Sequence, residues 1–381
     1  MSISWLGTAV LSLLLAGSLV YCALTIIAAR RYLASRPGLG LRALTPISIL
    51  TPIAGRDAGL EENLRSAFLQ DYFPFEIIFA ARSPEDPAIP VARKVMAEFA
   101  AIPSRLLITG EPAYSNAKVF SLERMMDAAH YDLLLMVDSD VRLRRDMLSR
   151  IASEFEDPAV GLATCPYRAV PGKGWCNALE AVGMNTQFLG GVLVARWIEG
   201  MKFALGPTIA ARRNVIEEFG GFRALGSYLA EDFVMGQRVD SLGYRVILSS
   251  CSVEHHIGDA PLSGSLAHRL RWARSTRRSR PAGYFGEVFT HPLPIALALT
   301  ALQPDLWPAL AFTAVVRAAA GWAVAGWVLR DPLTARLWWG VPLQDLIAIA
   351  VWIAGFFGKH ITWRGRRYAL LADGRFEPVS D

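Results

Sequence analysis

From residue 46 to about 255, short β-branched apolar runs alternate with amphipathic stretches. The runs Ile47 to Thr51, Glu76 to Ala80, Arg105 to Ile108 and Leu133 to Val137 predict strands. Between them Leu60, Leu64 and Phe68, then Val91, Val95 and Phe99, recur at four-residue spacing and predict helix faces. Strand and helix in alternation imply an α/β fold with a largely parallel, Rossmann-like sheet. Ligands of such sheets gather beyond the carboxyl ends of the strands, where Thr51-Pro52, Ser83 to Asp86 and Asp138 to Asp140 fall. After Asp140 the alternation loosens. The apolar segment from Trp175 to Leu205 reads either as a core helix pair or as a groove open to a membrane.

Outside this region the hydrophobic runs are longer. No charged residue occurs from Met1 to Ala29, and the core from Leu6 to Ala29 exceeds the ~20 residues a spanning helix needs. A cleaved signal peptide would carry a positive region ahead of the apolar stretch, whereas Arg30-Arg31-Tyr32 and Arg36 follow it. That bias keeps the following residues on the cytoplasmic face. Leu306 to Leu329 and about Trp338 to Gly358 are also long enough to span, while Pro292 to Leu302 is too short and reads as re-entrant or interfacial. Arg317 and Asp345 lie inside the two late spans, where an ionised group costs ~2.5 to 3.5 kcal/mol. Either they pair across the helices or they snorkel from the helix ends. From Gly264 onward Arg269, Arg271, Trp272, Arg274, Arg277, Arg278, Arg280, Tyr284 and Phe285 suit a helix lying in the membrane interface. The expected organisation is an anchor with basic flank (1–36), a cytosolic catalytic domain (37–263), an interfacial segment (264–290), a membrane region (291–358) and a cytosolic tail (359–381).

Composition supports a membrane protein. Of 381 residues 53% are hydrophobic, and the mean hydropathy of +0.30 is high for a soluble chain. A net charge of +5 fits anionic lipid or nucleic acid, but no aromatic-basic RNA motif or zinc-finger spacing is present, so a membrane surface is the expected partner and nucleic acid is not. Cys22, Cys165, Cys176 and Cys251 have neither metal-ligand spacing nor the density of a disulfide scaffold.

The chemistry concentrates in three places. Asp138-Ser139-Asp140 ends an apolar strand, and side chains alternate there, so both carboxylates share a face suited to a hard divalent cation held against a diphosphate. Glu231-Asp232 follows, with His268-Arg269-Leu270-Arg271-Trp272 beyond it. Acids at Glu231-Asp232 also suit a helix start. Lys118 is either a phosphate ligand or a solvated lysine. His255-His256 offer either a metal ligand at His255 or a hydrogen-bonded histidine at a sheet edge. Gly220-Gly221-Phe222 reads as a tight turn.

These features, with Asp86-Pro87-Ala88-Ile89, Asn116-x-Lys118, Tyr131-Asp132-Leu133, Ala230-Glu231-Asp232-Phe233 and Trp363-Arg364-x-x-Arg367-Tyr368, run nearly end to end and resemble the ceramide glucosyltransferase family. That family comprises membrane-bound GT-A enzymes and includes bacterial relatives that glycosylate hopanoid lipids. The resemblance implies that Asp138 binds nucleotide sugar and metal, with Asp140 beside it, and that Asp232 is the catalytic base. It assigns Arg271-Trp272 to the Arg-Trp signature of the acceptor side; by residue type Arg271 offers a bidentate fork to the diphosphate and Trp272 a flat face for sugar or lipid, the alternative being a polybasic membrane-surface helix, and Mg²⁺ or Mn²⁺ is the expected cofactor. Pro52, Asp86 and Lys118 are expected at the donor. Two departures stand out: His268 opens its motif where the family usually has Gln or Arg, and Ser83 stands at the family's first aspartate, with Glu85 and Asp86 just after, so either a neighbouring acid, with Asp86 favoured, takes over the contact to the nucleotide or the contact is lost. The implied activity is inverting transfer from a UDP-sugar to a hopanoid or ceramide hydroxyl at the inner face of a bacterial membrane, with no obligate protein partner. An Ala- and Arg-rich composition favours the hopanoid branch. The alternatives are a processive polysaccharide synthase, for which two late spans are few, and an inactive lipid-binding scaffold.

Overall fold

The computed structural model describes residues 3–35, 44–57, 59–363 and 366–379; Arg36 and Arg364 of the readings above lie outside them. The chain opens with α1 (Ile3–Ala34). The α/β pattern follows as β1 (Ile47–Pro52), α2 (Leu60–Phe68), β2 (Phe75–Ala81), α3 (Ala88–Glu98), β3 (Ser104–Ile108), α4 (Ala117–Ala128) and β4 (Leu133–Val137). Next come β5 (Val141–Arg142), α5 (Met147–Glu154), β6 (Val160–Thr164) and β7 (Tyr167–Val170). Helices α6 (Trp175–Gly183) and α7 (Leu189–Ile198) are joined by a π-helical turn at Met184–Phe188. The α/β pattern then resumes with β8 (Thr208–Arg212), α8 (Arg213–Glu218), α9 (Glu231–Ser241), β9 (Arg245–Leu248) and β10 (Val253–His256). After these come α10 (Leu262–Ser279), α11 (Pro281–Gly286), α12 (Pro292–Leu302), α13 (Trp307–Trp322), α14 (Pro332–Arg336) and α15 (Val341–Gly355).

Two compact units result, neither continuous in sequence. One takes Pro37–Val170, Glu199–Gly258 and Arg366–Asp381; the other takes Met1–Arg36, Pro171–Ile198 and Asp259–Gly365. The segment 171–198, assigned by sequence to the catalytic domain, therefore belongs with the membrane-type helices, and residues 366–379 of the expected tail belong with the sheet.

The main sheet of the sheet unit has, among the described residues, seven strands in the order β3-β2-β1-β4-β8-β6-β9. β3, β2, β1 and β4 run parallel, as do β6 and β9, while β8 is antiparallel to both neighbours. Parallel strands are covered on both faces and so read as continuous apolar runs; every residue of β2 and β4 is buried. The helix faces lie as their periodicity predicts, with Leu60, Leu64, Phe68, Val91 and Val95 buried and Phe99 stacked on Phe68 at 5.1 Å. Because β1 pairs in register with β2 and β4, the carboxyl ends of these three strands share one sheet edge. A second sheet, β5-β10-β7, sets His255 of β10 opposite Val141 of β5, one residue beyond Asp140. The turn at Gly220 and Gly221 has φ of 98° and 71°, which glycine alone adopts freely.

In the helical unit, among the described residues, four stretches are long and apolar enough to cross a membrane: Trp5–Ala34, Trp175–Ile198, Pro304–Val328 and Trp338–Gly355. Pro281–Thr290 and Pro292–Leu302 form a pair bent by 59°, the shape of a broken span or a re-entrant loop, in line with the short Pro-flanked run. Leu13 and Val315 are 75% and 68% exposed. Apolar side chains facing outward in this density call for lipid. Trp175–Ile198 is instead mostly buried among its neighbours, so it reads as the packed interior of the bundle. Arg317 and Asp345 meet in a bidentate pair, Nε to Oδ2 at 2.9 Å and Nη2 to Oδ1 at 2.8 Å, and both are buried. Of the two readings above, pairing holds. Arg274 and Arg277 donate to the carbonyls of Phe356, Phe357, Gly358 and His360, closing the carboxyl end of α15.

Candidate active site

Lys118 organises the carboxylates of the sheet unit. It sits in the first turn of α4, whose N-cap Asn116 accepts a hydrogen bond from the Val119 amide. Its Nζ lies 2.7 Å from Asp138 Oδ1 and 3.3 Å from Glu231 Oε1, and it donates to the Gly206 carbonyl at 3.3 Å. The lysine is an internal counter-ion, not a solvated surface residue. Burial works against its charge, but Asp138 and Glu231 together raise its pKa above the ordinary lysine range.

Asp138 continues β4, and its amide donates to the Pro207 carbonyl at 3.0 Å. Burial lifts its carboxyl to about 6; Lys118 opposes the rise, while Asp140 and Glu231 add to it. Burial also acts on Asp140, yet His255, with Nε2 at 3.2 Å from Asp140 Oδ2, holds that carboxyl below the ordinary range. The register of β10 on β5 makes this contact, and the His256 amide donating to the Asp140 carbonyl at 2.8 Å fixes it. Tyr167 packs edge-on against the His255 ring at 5.3 Å.

Glu231 and Asp232 open α9, as a helix start predicts. Asp232 Oδ1 accepts from the Phe233 amide at 2.8 Å. Burial first, then Glu231 beside it, raise the Asp232 carboxyl to about 7, with Lys118 opposing. Two glycines that sequence reasoning passed over set this position. A Cβ on Gly206 would lie 3.0 Å from Asp232 Oδ2, and one on Gly236 would lie 2.4 Å from Phe203 Cα. Helix α9 thus rests directly on the backbone at Phe203, and a glycine inside a helix was the available signal.

The fold draws Lys118, Asp138, Asp140, Asp232 and His255, all expected at the site from the sequence, to this region. The three expected metal ligands do not close on one point. Among the described residues no group of three or more His, Cys, Asp and Glu side chains is arranged to hold a metal ion, because Lys118 draws Asp138 while His255 faces Asp140. Asp140 Oδ1 is nevertheless buried without a hydrogen-bond partner. A buried carboxylate oxygen left unmatched fits a hard cation whose other ligands come from a diphosphate and water, the usual mode of Mg²⁺.

Pro52 ends β1 on the same sheet edge. Asp86 Oδ1 accepts from the Gly55 and Ala88 amides, both at 2.9 Å, tying the loop after β1 to the start of α3. Ser83 bonds to Glu85. Arg271 and Trp272 belong to the helical unit, where the Trp272 ring lies 5.1 Å from His268 and 5.8 Å from Phe188. His268 has a partner of its own in Glu180, at 2.8 Å.

The family model of glycosyl transferase family 21 matches residues 10–376. The chain belongs to this family. Ceramide glucosyltransferase 1 of Caenorhabditis elegans is 30% identical over 209 residues, 54% of this chain and 44% of that protein. Ceramide glucosyltransferase 3 of the same organism is 25% identical over 347 residues, 88% of this chain and 75% of that protein. The fold matches a mannosyltransferase of Pyrobaculum calidifontis, solved with GDP-Man and Mn²⁺, with a TM-score of 0.54 at 19% identity over 92% of this chain and 99% of that one. The sheet unit of this family 21 protein is accordingly a GT-A fold.

Proposed function

We propose that the protein is a membrane-embedded, inverting glycosyltransferase that moves a hexose or N-acetylhexosamine from a UDP-sugar to the hydroxyl of a hopanoid- or ceramide-type lipid. The observation that carries this reading is the division of labour among the carboxylates around Lys118. Asp140 is held ionised, as a cation ligand must be, whereas Asp232 is lifted to about 7, where a carboxylate accepts a proton effectively near neutral pH.

In this mechanism Asp232 takes the proton from the acceptor hydroxyl as its oxygen attacks the anomeric carbon opposite the diphosphate. The new C–O bond forms while the bond to the phosphate oxygen breaks, UDP leaves with the electron pair, and one displacement inverts the configuration. Asp138 and Asp140 would hold a divalent Mg²⁺ or Mn²⁺ ion, which supplies charge stabilisation to the departing diphosphate. His255 orients Asp140, and Lys118 keeps Asp138 and Glu231 from repelling each other. Asp86 and Pro52 shape the donor side of the same edge, with Arg271 and Trp272 serving donor diphosphate and acceptor. The apolar helices hold the enzyme where its acceptor dissolves, with the sheet unit on the cytoplasmic face of a bacterial inner membrane.

The test is incubation of the purified protein in detergent with Mn²⁺, separate UDP-sugars, and ceramide or bacteriohopanetetrol, following UDP release and the lipid by mass spectrometry. A glycosylated lipid of inverted configuration, absent with Asp232→Asn, supports the reading. UDP-sugar bound but never transferred to any lipid hydroxyl overturns it.

A further inference from the structure

Residues 366–379 follow the last membrane-type helix, and their place in the fold is unexpected for a tail. Strands Arg366–Leu370 and Phe376–Pro378 pair antiparallel, Tyr368 with Pro378 and Leu370 with Phe376. The turn between them carries Asp373-Gly374, a strong local hairpin signal, with Gly374 at φ 81° and Asp373 accepting from the Arg375 amide and guanidinium. Phe376 is fully buried, Leu370 is 3% exposed, and the Tyr368 ring lies 4.9 Å from that of Phe376.

This hairpin lies along the loop that leads into α9. The Phe376 amide donates to the Ser227 carbonyl at 2.9 Å, the Leu229 amide to the Gly374 carbonyl at 3.5 Å, and Tyr228 bridges Arg375 antiparallel. From α4 the same loop is gripped by Asn116, whose amide donates to the Gly226 carbonyl at 2.9 Å. Its Nδ2 donates to the Tyr228 carbonyl at 2.9 Å and to Glu231 Oε2 at 3.3 Å. The loop is therefore clamped by the helix that carries Lys118 and by the carboxyl-terminal hairpin, and it ends two residues before Asp232.

We propose that the carboxyl-terminal hairpin is a positioning element of the active site, with Phe376 the residue that seats it, acting on Asp232 through the loop 226–230. Placing a base within reach of a hydroxyl is a geometric task, and a misplacement of about 1 Å costs on the order of 100-fold in rate. The inference rests on the assignment of Asp232 as the base, but the contact itself can be read without it.

The experiment uses the full chain in detergent, with UDP-glucose as donor probe and hydrogen exchange by mass spectrometry on peptides covering 226–232. In Phe376→Ala the expected result is a kcat lower by about 10- to 100-fold with KM for UDP-glucose nearly unchanged. Amide protection should fall in 226–232 but not in β1–β4. Phe376→Leu should restore most of the rate, and Glu377→Ala, on an exposed residue, should leave it unchanged. Wild-type kcat in Phe376→Ala overturns the proposal, whether or not exchange rises; so does protection lost across the whole sheet, which would make the residue merely structural. If the wild-type chain transfers no sugar from any donor, the function proposed above fails, and unchanged exchange at 226–232 in Phe376→Ala then overturns the brace as well.

Discussion

The Arg317–Asp345 pair makes a quantitative demand on the helical unit. Two charge-assisted hydrogen bonds of 2.8 and 2.9 Å join residues that are 5% and 0% exposed, so neither charge has water to fall back on. Removing one partner from a buried pair strands the other, at a cost of about 3 to 5 kcal/mol. Arg317→Leu and Asp345→Leu should each destabilise the protein by that amount. The double variant should lose far less than the sum, because replacing both charges by apolar side chains is close to neutral. The coupling energy expected from the cycle is thus about 3 kcal/mol or more, well above the ~0.3–0.5 kcal/mol by which independent sites depart from additivity. The assay is equilibrium unfolding of the four proteins in one detergent, followed by tryptophan emission. Single variants that each cost under about 1 kcal/mol and simply add would refute the reasoning, since they would mean both groups reach water.

Other outcomes follow from the carboxylates and glycines. With Asp232 as the base and its carboxyl at about 7, kcat/KM should rise tenfold per pH unit below that value and level off above it, the ionised form being the active one; a flat profile from pH 5.5 to 8 would count against it. Asp232→Asn should lower kcat by about 10² to 10⁴ without loss of fold, checked by parallel unfolding curves. Asp140→Asn should weaken Mn²⁺ binding measured by paramagnetic resonance, and chelation of wild-type enzyme should stop turnover until metal is restored. Helix propensity alone would have Gly236→Ala stabilise α9 by about 1 kcal/mol. Its Cβ would meet backbone at Phe203, so the expected result is a loss of about 1 to 3 kcal/mol together with a fall in kcat; a raised melting temperature would contradict the packing.

The strands β1, β2 and β4 were legible because parallel strands buried on both faces announce themselves as apolar runs, and Leu133 to Val137 coincides with β4. After Asp140, β5, β7, β9 and β10 have only two to four residues and mix buried with exposed or partly exposed positions, so no run marks them. Trp175 to Ile198 was ambiguous for a different reason: a protein core and a lipid bundle select the same side chains. The acids at 138, 140 and 232 could be named from their motifs. The partners that set their protonation could not, since Glu231 reaches Lys118 across more than a hundred residues, and His255 reaches Asp140 through a strand register. The contact between the tail and the loop before α9 was not legible because its partners, Ser227 to Leu229, lie far upstream.

Neither compact unit is a continuous stretch of chain, and this bears on how the protein is made. The sheet unit is interrupted twice by segments of the bundle, 171–198 and 259–365, and takes in Arg366 to Asp381, translated after α15. At ~5 to 20 residues per second, roughly 10 to 40 s separate synthesis of Val170 from that of Arg366. Once residues 226–230 are made, and until the hairpin follows, the loop before Asp232 lacks its partner, while the late helices of the bundle are being handed to the bilayer. On the two proposals above, a ribosome that stalls among the late spans leaves Asp232 unbraced, so the membrane region and the catalytic centre are completed together. For the engineer, no single cut releases a soluble catalytic domain; the order of the segments would first have to be rewired.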